Sequence, residues 1–216
     1  MGLARHGRRL LAVCAVAASL VALAPVAPSA AHGSGVEYLY ASSDPYLAQR
    51  VHEAGDTADV LLAVQWRPTV SGTVNGVRIC LDLTPQEVNQ RLPLSASLFT
   101  ADGQALAWGG AYEGIGYAAP CFYQVSMSPT RVNAGETYVA GFWLRGGQYS
   151  YVPDGFAEER SNTTNGHLVA PSSADATVGA GNGLYAYTSS FGATFPTESW
   201  ESADYLVSPV FTPDAH

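Results

Sequence analysis

The chain has 216 residues, with 18 Asp and Glu, 10 Arg, no Lys and a formal net charge of −8. A surface of that sign repels nucleic acid and anionic membrane, so neither is expected as a partner. The length is that of one domain able to bury a good core.

Arg5, Arg8 and Arg9 precede an apolar stretch, Leu10 to Ala24, which is too short to span a bilayer comfortably. Small residues come next, with Ser29-Ala30-Ala31 at the cleavage-determining positions. This reads as a signal peptide, residues 1–31, with the cut after Ala31; an uncleaved anchor is the alternative. Cys14 lies inside the apolar stretch and is not placed as a lipoprotein cysteine. The expected mature chain is one domain, residues 32–216, secreted and extracellular. No segment in it is apolar enough to insert in a membrane.

Asp59 to Trp66 alternates: Val60, Leu62, Val64 and Trp66 on one face, Leu61, Ala63 and Gln65 on the other. Ser71 to Leu83 continues the pattern. Val77, Ile79, Leu81 and Leu83 point inward, Arg78, Cys80 and Asp82 outward, and Asn75-Gly76 marks a bulge or tight bend. Thr84-Pro85-Gln86-Glu87 is a helix start, with a capping residue ahead of a first-turn proline, so a short helical turn is expected within Thr84 to Leu92. Leu94 to Thr100 and Gln104 to Trp108 flank the turn Ala101-Asp102-Gly103 as a hairpin. Cys121 to Met127, Thr137 to Leu144, Gln148 to Val152, Leu184 to Thr188 and Ala203 to Phe211 read as further strands. Ser161 to Asn182 is rich in small and polar residues and reads as a long exposed loop, with a weak strand near His167 to Ala170. The sum is all-β: an antiparallel two-sheet β-sandwich, immunoglobulin-like or jelly-roll-like, of about nine strands, each sheet with one wet face.

Two cysteines lie beyond the leader, Cys80 and Cys121. Outside the cell such a pair is expected as a disulfide, with two separate buried thiols as the alternative. Neither has a partner at zinc-ligand spacing. Their strand parities disagree, so a bond requires Cys121 at a strand end, which Pro120 favours.

The series resembles a bacterial extracellular β-sandwich family catalogued only as a domain of unknown function. Val64 to Ile79 (VQWRPTVSGTVNGVRI) is similar to its opening motif and Ser97 to Ala107 (SLFTADGQALA) to its hairpin. Val132 to Val139 (VNAGETYV) resembles its central strand, and Gly147-Gln148-Tyr149 the segment after that strand. Asp204 to Phe211 (DYLVSPVF) resembles its closing strand. The resemblance covers about residues 37–213. It departs in the cysteine pair and in insertions around Thr84–Pro93 and Glu113–Pro120. Such domains often sit beside immunoglobulin-like or carbohydrate-active modules, which implies an accessory binding role by association only.

No catalytic motif emerges. His52-Glu53-Ala54-Gly55-Asp56 begins like a zinc-protease helix but lacks the second histidine. Glu158-Glu159 and the Glu198/Glu201/Asp204 group read as solvated charge first, then as a calcium site, then as a glycosidase pair. Asn162-Thr163-Thr164 is a glycosylation sequon read as incidental. Aromatics outside the strand cores are more informative: Tyr112, Tyr117, Tyr149, Tyr151, Phe156, Tyr185, Tyr187, Phe191, Phe195 and Trp200. Flat rings stack on sugars, and of these Tyr149, Tyr151, Phe195 and Trp200 are the candidate ligand contacts; inward packing is the alternative. The expectation is a non-enzymatic binding module for a glycan or cell-surface polysaccharide, without cofactor. A structural or protein-interaction domain is second and a hydrolase third.

Overall fold

The computed structural model describes residues 35–51, 54–111, 115–162, 165–191 and 194–215. The leader, His32, His52-Glu53, Tyr112, Thr163-Thr164 and His216 lie outside the described residues.

The fold is an antiparallel β-sandwich with twelve strands among the described residues, more than the nine expected because four are only two or three residues long. They are β1 (Val60–Pro68), β2 (Gly72–Cys80), β3 (Leu94–Thr100), β4 (Ala105–Ala111), β5 (Gly116–Ala118), β6 (Phe122–Val132), β7 (Tyr138–Leu144), β8 (Arg160–Ser161), β9 (Leu168–Ala170), β10 (Leu184–Tyr187), β11 (Glu198–Ser199) and β12 (Val207–Pro213). The larger sheet runs β11-β10-β1-β7-β3-β4, with β9 also on β1 and β8 on β9. The smaller runs β12-β2-β6-β5. The α-helix α1 (Pro85–Asn89) starts as expected: Thr84, just ahead of Pro85, forms a reciprocal capping box with Glu87 in the first turn.

The inward faces meet as the alternation predicts. Val60, Leu62, Val64 and Trp66 of β1 pack with Val77 and Ile79 of β2, Phe142 of β7 and Phe211 of β12. Side chains of this size each stabilise by about 1.5–3 kcal/mol when fully buried. The bulge at Asn75 also matches expectation, since the β2–β6 register shifts between Val74 and Gly76. The sheets close on one side at β4 and β6, where a side chain on Gly109 would collide with the Ser126 carbonyl oxygen.

Three expectations change. The outer face of the larger sheet is not wet. Leu61, Ala63, Phe99, Val139, Trp143, Val178 and Leu184 form a second apolar layer there, with Phe191 and Phe195 against it. The segment read as an exposed loop covers it, because its polar groups are satisfied by β1. Gln65 Oε1 accepts from the amides of Thr177 (3.0 Å) and Val178 (2.7 Å), and Asn182 exchanges bonds with the Gln65 backbone. Second, Arg78 is not in solvent. It leaves the core side of β2 but is only 3% exposed, with its guanidinium 3.4 Å from the Tyr38 ring centroid and 4.0 Å from that of Phe122. It donates to the Tyr40 carbonyl, and burial pushes its pKa down to about 10. The segment that covers it runs along β12, with backbone bonds between Glu37 and Phe211 in both directions. Third, Gln148 to Val152 is no regular strand; it is held by the isolated bridges Val51–Tyr151 and Val152–Asp204.

Cys80 and Cys121 are bonded, with Cα atoms 4.8 Å apart. The parity conflict resolves at the strand end: Cys121 sits one residue ahead of β6.

Candidate functional site

β12 of the smaller sheet lies over β1 and β7, β2 over β7 and β3, and β6 over β3 and β4. The larger sheet carries two further strands, β10 and β11, past the β12 edge. Tyr185 and Tyr187 of β10 stand opposite Leu62 and Val60 in register, so they share the inward face of the sheet. Beyond the smaller sheet that face opens into a cleft.

The cleft, of about 250 Å³, is lined by Tyr149, Tyr151, Tyr185, Tyr187, Trp200 and Tyr205, with Ala54 and Asp56. The rings form one connected series. Trp200 meets Tyr151 edge-on at 5.5 Å, and Tyr151 meets Tyr149 at 6.5 Å. Tyr149 meets Tyr205 at 5.4 Å, Tyr205 meets Tyr185 at 6.3 Å, and Tyr185 meets Tyr187 at 5.5 Å. Edge-to-face contacts of this kind add about 0.5–1.5 kcal/mol per pair beyond burial and hold the rings in place. Tyr205 is the floor, 2% exposed; Trp200 and Tyr187 are the rims, 45% and 55% exposed.

Local backbone explains each placement. Tyr149 and Tyr151 are two residues apart on an extended segment and so face one way, while Ser150 between them is buried. That segment is pinned on one side by the Val51 and Ala54 amides, which donate to the Tyr151 (2.7 Å) and Tyr149 (3.0 Å) carbonyls. On the other side Val152 and Asp204 exchange two bonds, of 2.8 and 2.9 Å. Trp200 begins a tight turn closed by the Ala203 amide on the Trp200 carbonyl, with Glu201 and Ser202 both at positive φ. Non-glycine residues rarely take that conformation, and here it carries Trp200 onto the rim.

Asp56 is the one charged residue among the described residues lining the cleft. Its Oδ1 accepts from the Ala58 amide at 3.0 Å. Its Oδ2 is buried and has no donor in hydrogen-bonding geometry. The carboxylate raises the pKa of the Tyr187 phenol beside it. Burial raises the pKa of Tyr149 and of Tyr205, so all of these phenols are neutral at physiological pH.

A family model described as a domain of unknown function, DUF4082, matches residues 47–207. The chain belongs to this family. All six ring residues of the cleft, Asp56 and both cysteines fall inside the matched DUF4082 region. No curated protein matches the chain.

Of the four ligand contacts expected from the sequence, this DUF4082 domain brings Tyr149, Tyr151 and Trp200 together and places Phe195 elsewhere. Phe195 packs edge-on against Phe99 at 5.3 Å in the outer apolar layer. Phe156 is fully buried, and Phe191 lies between Trp108 and Trp143. Tyr205 and Asp56 join the site without a signal of their own in the sequence: one sits inside a predicted strand, the other ahead of the first predicted strand. Tyr149/Tyr151 and Tyr185/Tyr187 carry a legible one, since tyrosines two apart in extended chain must share a face.

The acidic groups separate. Glu158 and Glu159 are exposed, Glu159 paired to Arg67 at 3.0 Å. Glu198 and Glu201 are exposed, whereas Asp204 is sealed inside the domain. Its carboxylate accepts from Tyr40 Oη (2.7 and 2.9 Å), Tyr46 Oη (3.0 Å) and the Leu206 amide (2.8 Å), with Arg160 Nε at 3.8 Å. Burial pushes its pKa up, against those donors and Arg160. Glu198, Glu201 and Asp204 are thus neither a calcium cage nor a pair across one cleft. Among the described residues no group of three or more His, Cys, Asp or Glu could hold a metal ion. Asn162 of the sequon is 4% exposed, donates to Glu37 Oε2 at 2.9 Å and accepts from the Leu168 amide, so the folded domain offers no amide for glycosylation.

Proposed function

We propose that this domain is a secreted, non-enzymatic binding module for a glycan of the cell wall or another extracellular polysaccharide. The observation that carries the reading is the cleft of six aromatic rings, with two exposed rims above a buried floor. Sugar rings present C–H faces to aromatic planes, and the phenol hydroxyls supply donors and acceptors for sugar hydroxyls. A rigid set of rings loses little conformational entropy on binding, which favours even a small ligand. The signal-like leader and the disulfide agree with export. Among the described residues no helix is long and apolar enough to cross a membrane.

The test is titration of the purified domain with a panel of cell-wall and plant polysaccharides, followed by tryptophan fluorescence and by pull-down. Trp200→Ala should weaken the best ligand at least ten-fold while the domain stays folded. Phe195→Leu, in the outer apolar layer, should leave affinity unchanged. No saturable binding across the panel would overturn the glycan reading in favour of a protein-interaction domain.

A further inference from the structure

The cleft combines two features that a neutral sugar does not need together. Its walls are the electron-rich faces and hydroxyls of five tyrosines and a tryptophan, and its one charged lining group among the described residues is a carboxylate. That carboxylate sits beside the Tyr187 phenol and accepts from the Ala58 amide through Oδ1. A carboxylate at the wall of an aromatic cleft forms its strongest hydrogen bonds with a charged donor. No arginine is among the described residues lining the cleft, so no resident cation there competes for that carboxylate. An ammonium group answers both features. It donates up to three hydrogen bonds, pairs with the carboxylate, and is attracted to aromatic faces. The acidic balance of the chain draws such a ligand in from solution.

We infer that the cleft selects amino sugars with a free, protonated amine, that is, de-N-acetylated polysaccharide segments, with the ammonium against the Asp56 carboxylate and the sugar rings along Tyr149, Tyr151 and Trp200. This rests on the glycan-binding reading and narrows it. Acetylation removes the charge and two of the donors, so the acetylated polymer loses the interaction with Asp56 while keeping the ring stacking.

The experiment compares three hexamers of the same backbone linkage by calorimetry at pH 5.5: β-1,4-glucosamine, β-1,4-N-acetylglucosamine and β-1,4-glucose. The glucosamine hexamer should bind at least ten-fold more tightly than either of the others, and more weakly as salt rises. Asp56→Asn keeps the Oδ1 acceptor for the Ala58 amide and should remove the preference. Trp200→Ala should weaken all three. Equal affinity for the three hexamers, with sensitivity to Trp200→Ala, would overturn the amine inference and leave the glycan reading standing. Binding of the glucosamine hexamer that survives both substitutions would place it on the acidic surface at large and overturn the inference too. Failure of all three hexamers to bind would overturn the inference, while the polysaccharide panel decides the broader reading separately.

Discussion

Asp204→Ala is expected to destabilise the domain by roughly 3–5 kcal/mol, because it strands the buried Tyr40 phenol and Leu206 amide and leaves Tyr46 Oη only the Gly155 carbonyl, at 3.4 Å. The Tyr40 phenol is fully buried and spans both carboxylate oxygens, Tyr46 reaches one of them, and the Leu206 amide reaches the other. Together they tie the segment before β1 to the approach to β12. Asp204→Asn should cost far less, about 1 kcal/mol, since Oδ1 keeps its acceptor role. The two variants also separate by pH. Burial raises the folded-state pKa of Asp204 above its unfolded value. The stability tied to its protonation is therefore fully present below the ordinary aspartate pKa, near about 3.9, and is lost as pH rises through the folded value. Wild type should lose stability across that window relative to Asp204→Asn, whose amide does not titrate. Urea unfolding at a series of pH values, read by tryptophan fluorescence, measures all three proteins. A cost below about 1 kcal/mol for the alanine variant would show that the network does not hold the fold. Because Asp204 bridges Val152 beside Tyr151 and precedes Tyr205, the alanine variant should also weaken ligand binding.

Removing the disulfide should have an effect of similar size. Cys80 and Cys121 are 41 residues apart in sequence, and a cross-link of that span stabilises by about 4 kcal/mol in the chain-entropy model. Both residues are buried against the main core, so Cys80→Ala with Cys121→Ala avoids burying new polar groups. The double variant should melt on the order of 10 °C below wild type by calorimetry under oxidising conditions. Wild type in strong reductant should approach the same value. A melting temperature unchanged by either route would mean that the bond constrains little of the unfolded chain.

Much of the fold is legible in the sequence because it depends on local rules. Alternation at Val60 to Trp66 and Val77 to Leu81 identifies the core faces, Thr84-Pro85 the helix start and Ala101-Asp102-Gly103 the hairpin turn, each within a few residues of its physical cause. Wet and dry outer faces are not legible in this way. Leu61, Ala63 and Gln65 look solvent-facing by period, and only the return of residues 171–183 over the sheet, secured by Gln65 and Asn182, covers them. Arg78 looks solvent-facing for the same reason: its cover, Tyr38, comes from a segment 40 residues earlier in the chain.

The sequence by itself determined that this chain makes antiparallel sheets that meet through alternating apolar residues, that its cysteines can pair once Cys121 lies at a strand end, and that tyrosines come in same-face pairs at 149/151 and 185/187. Those are consequences of backbone period and steric preference within a few residues. Only the tertiary structure decided that the two pairs line one cleft, that Tyr205 lies beneath them and Trp200 on the rim, that Asp56 enters the same cleft, and that Phe195 goes to the far side of the sheet. The cause is a mismatch of sheet widths: the larger sheet continues through β10 and β11 where the smaller ends at β12. An aromatic face that a wider partner sheet would have buried as core is left open to solvent.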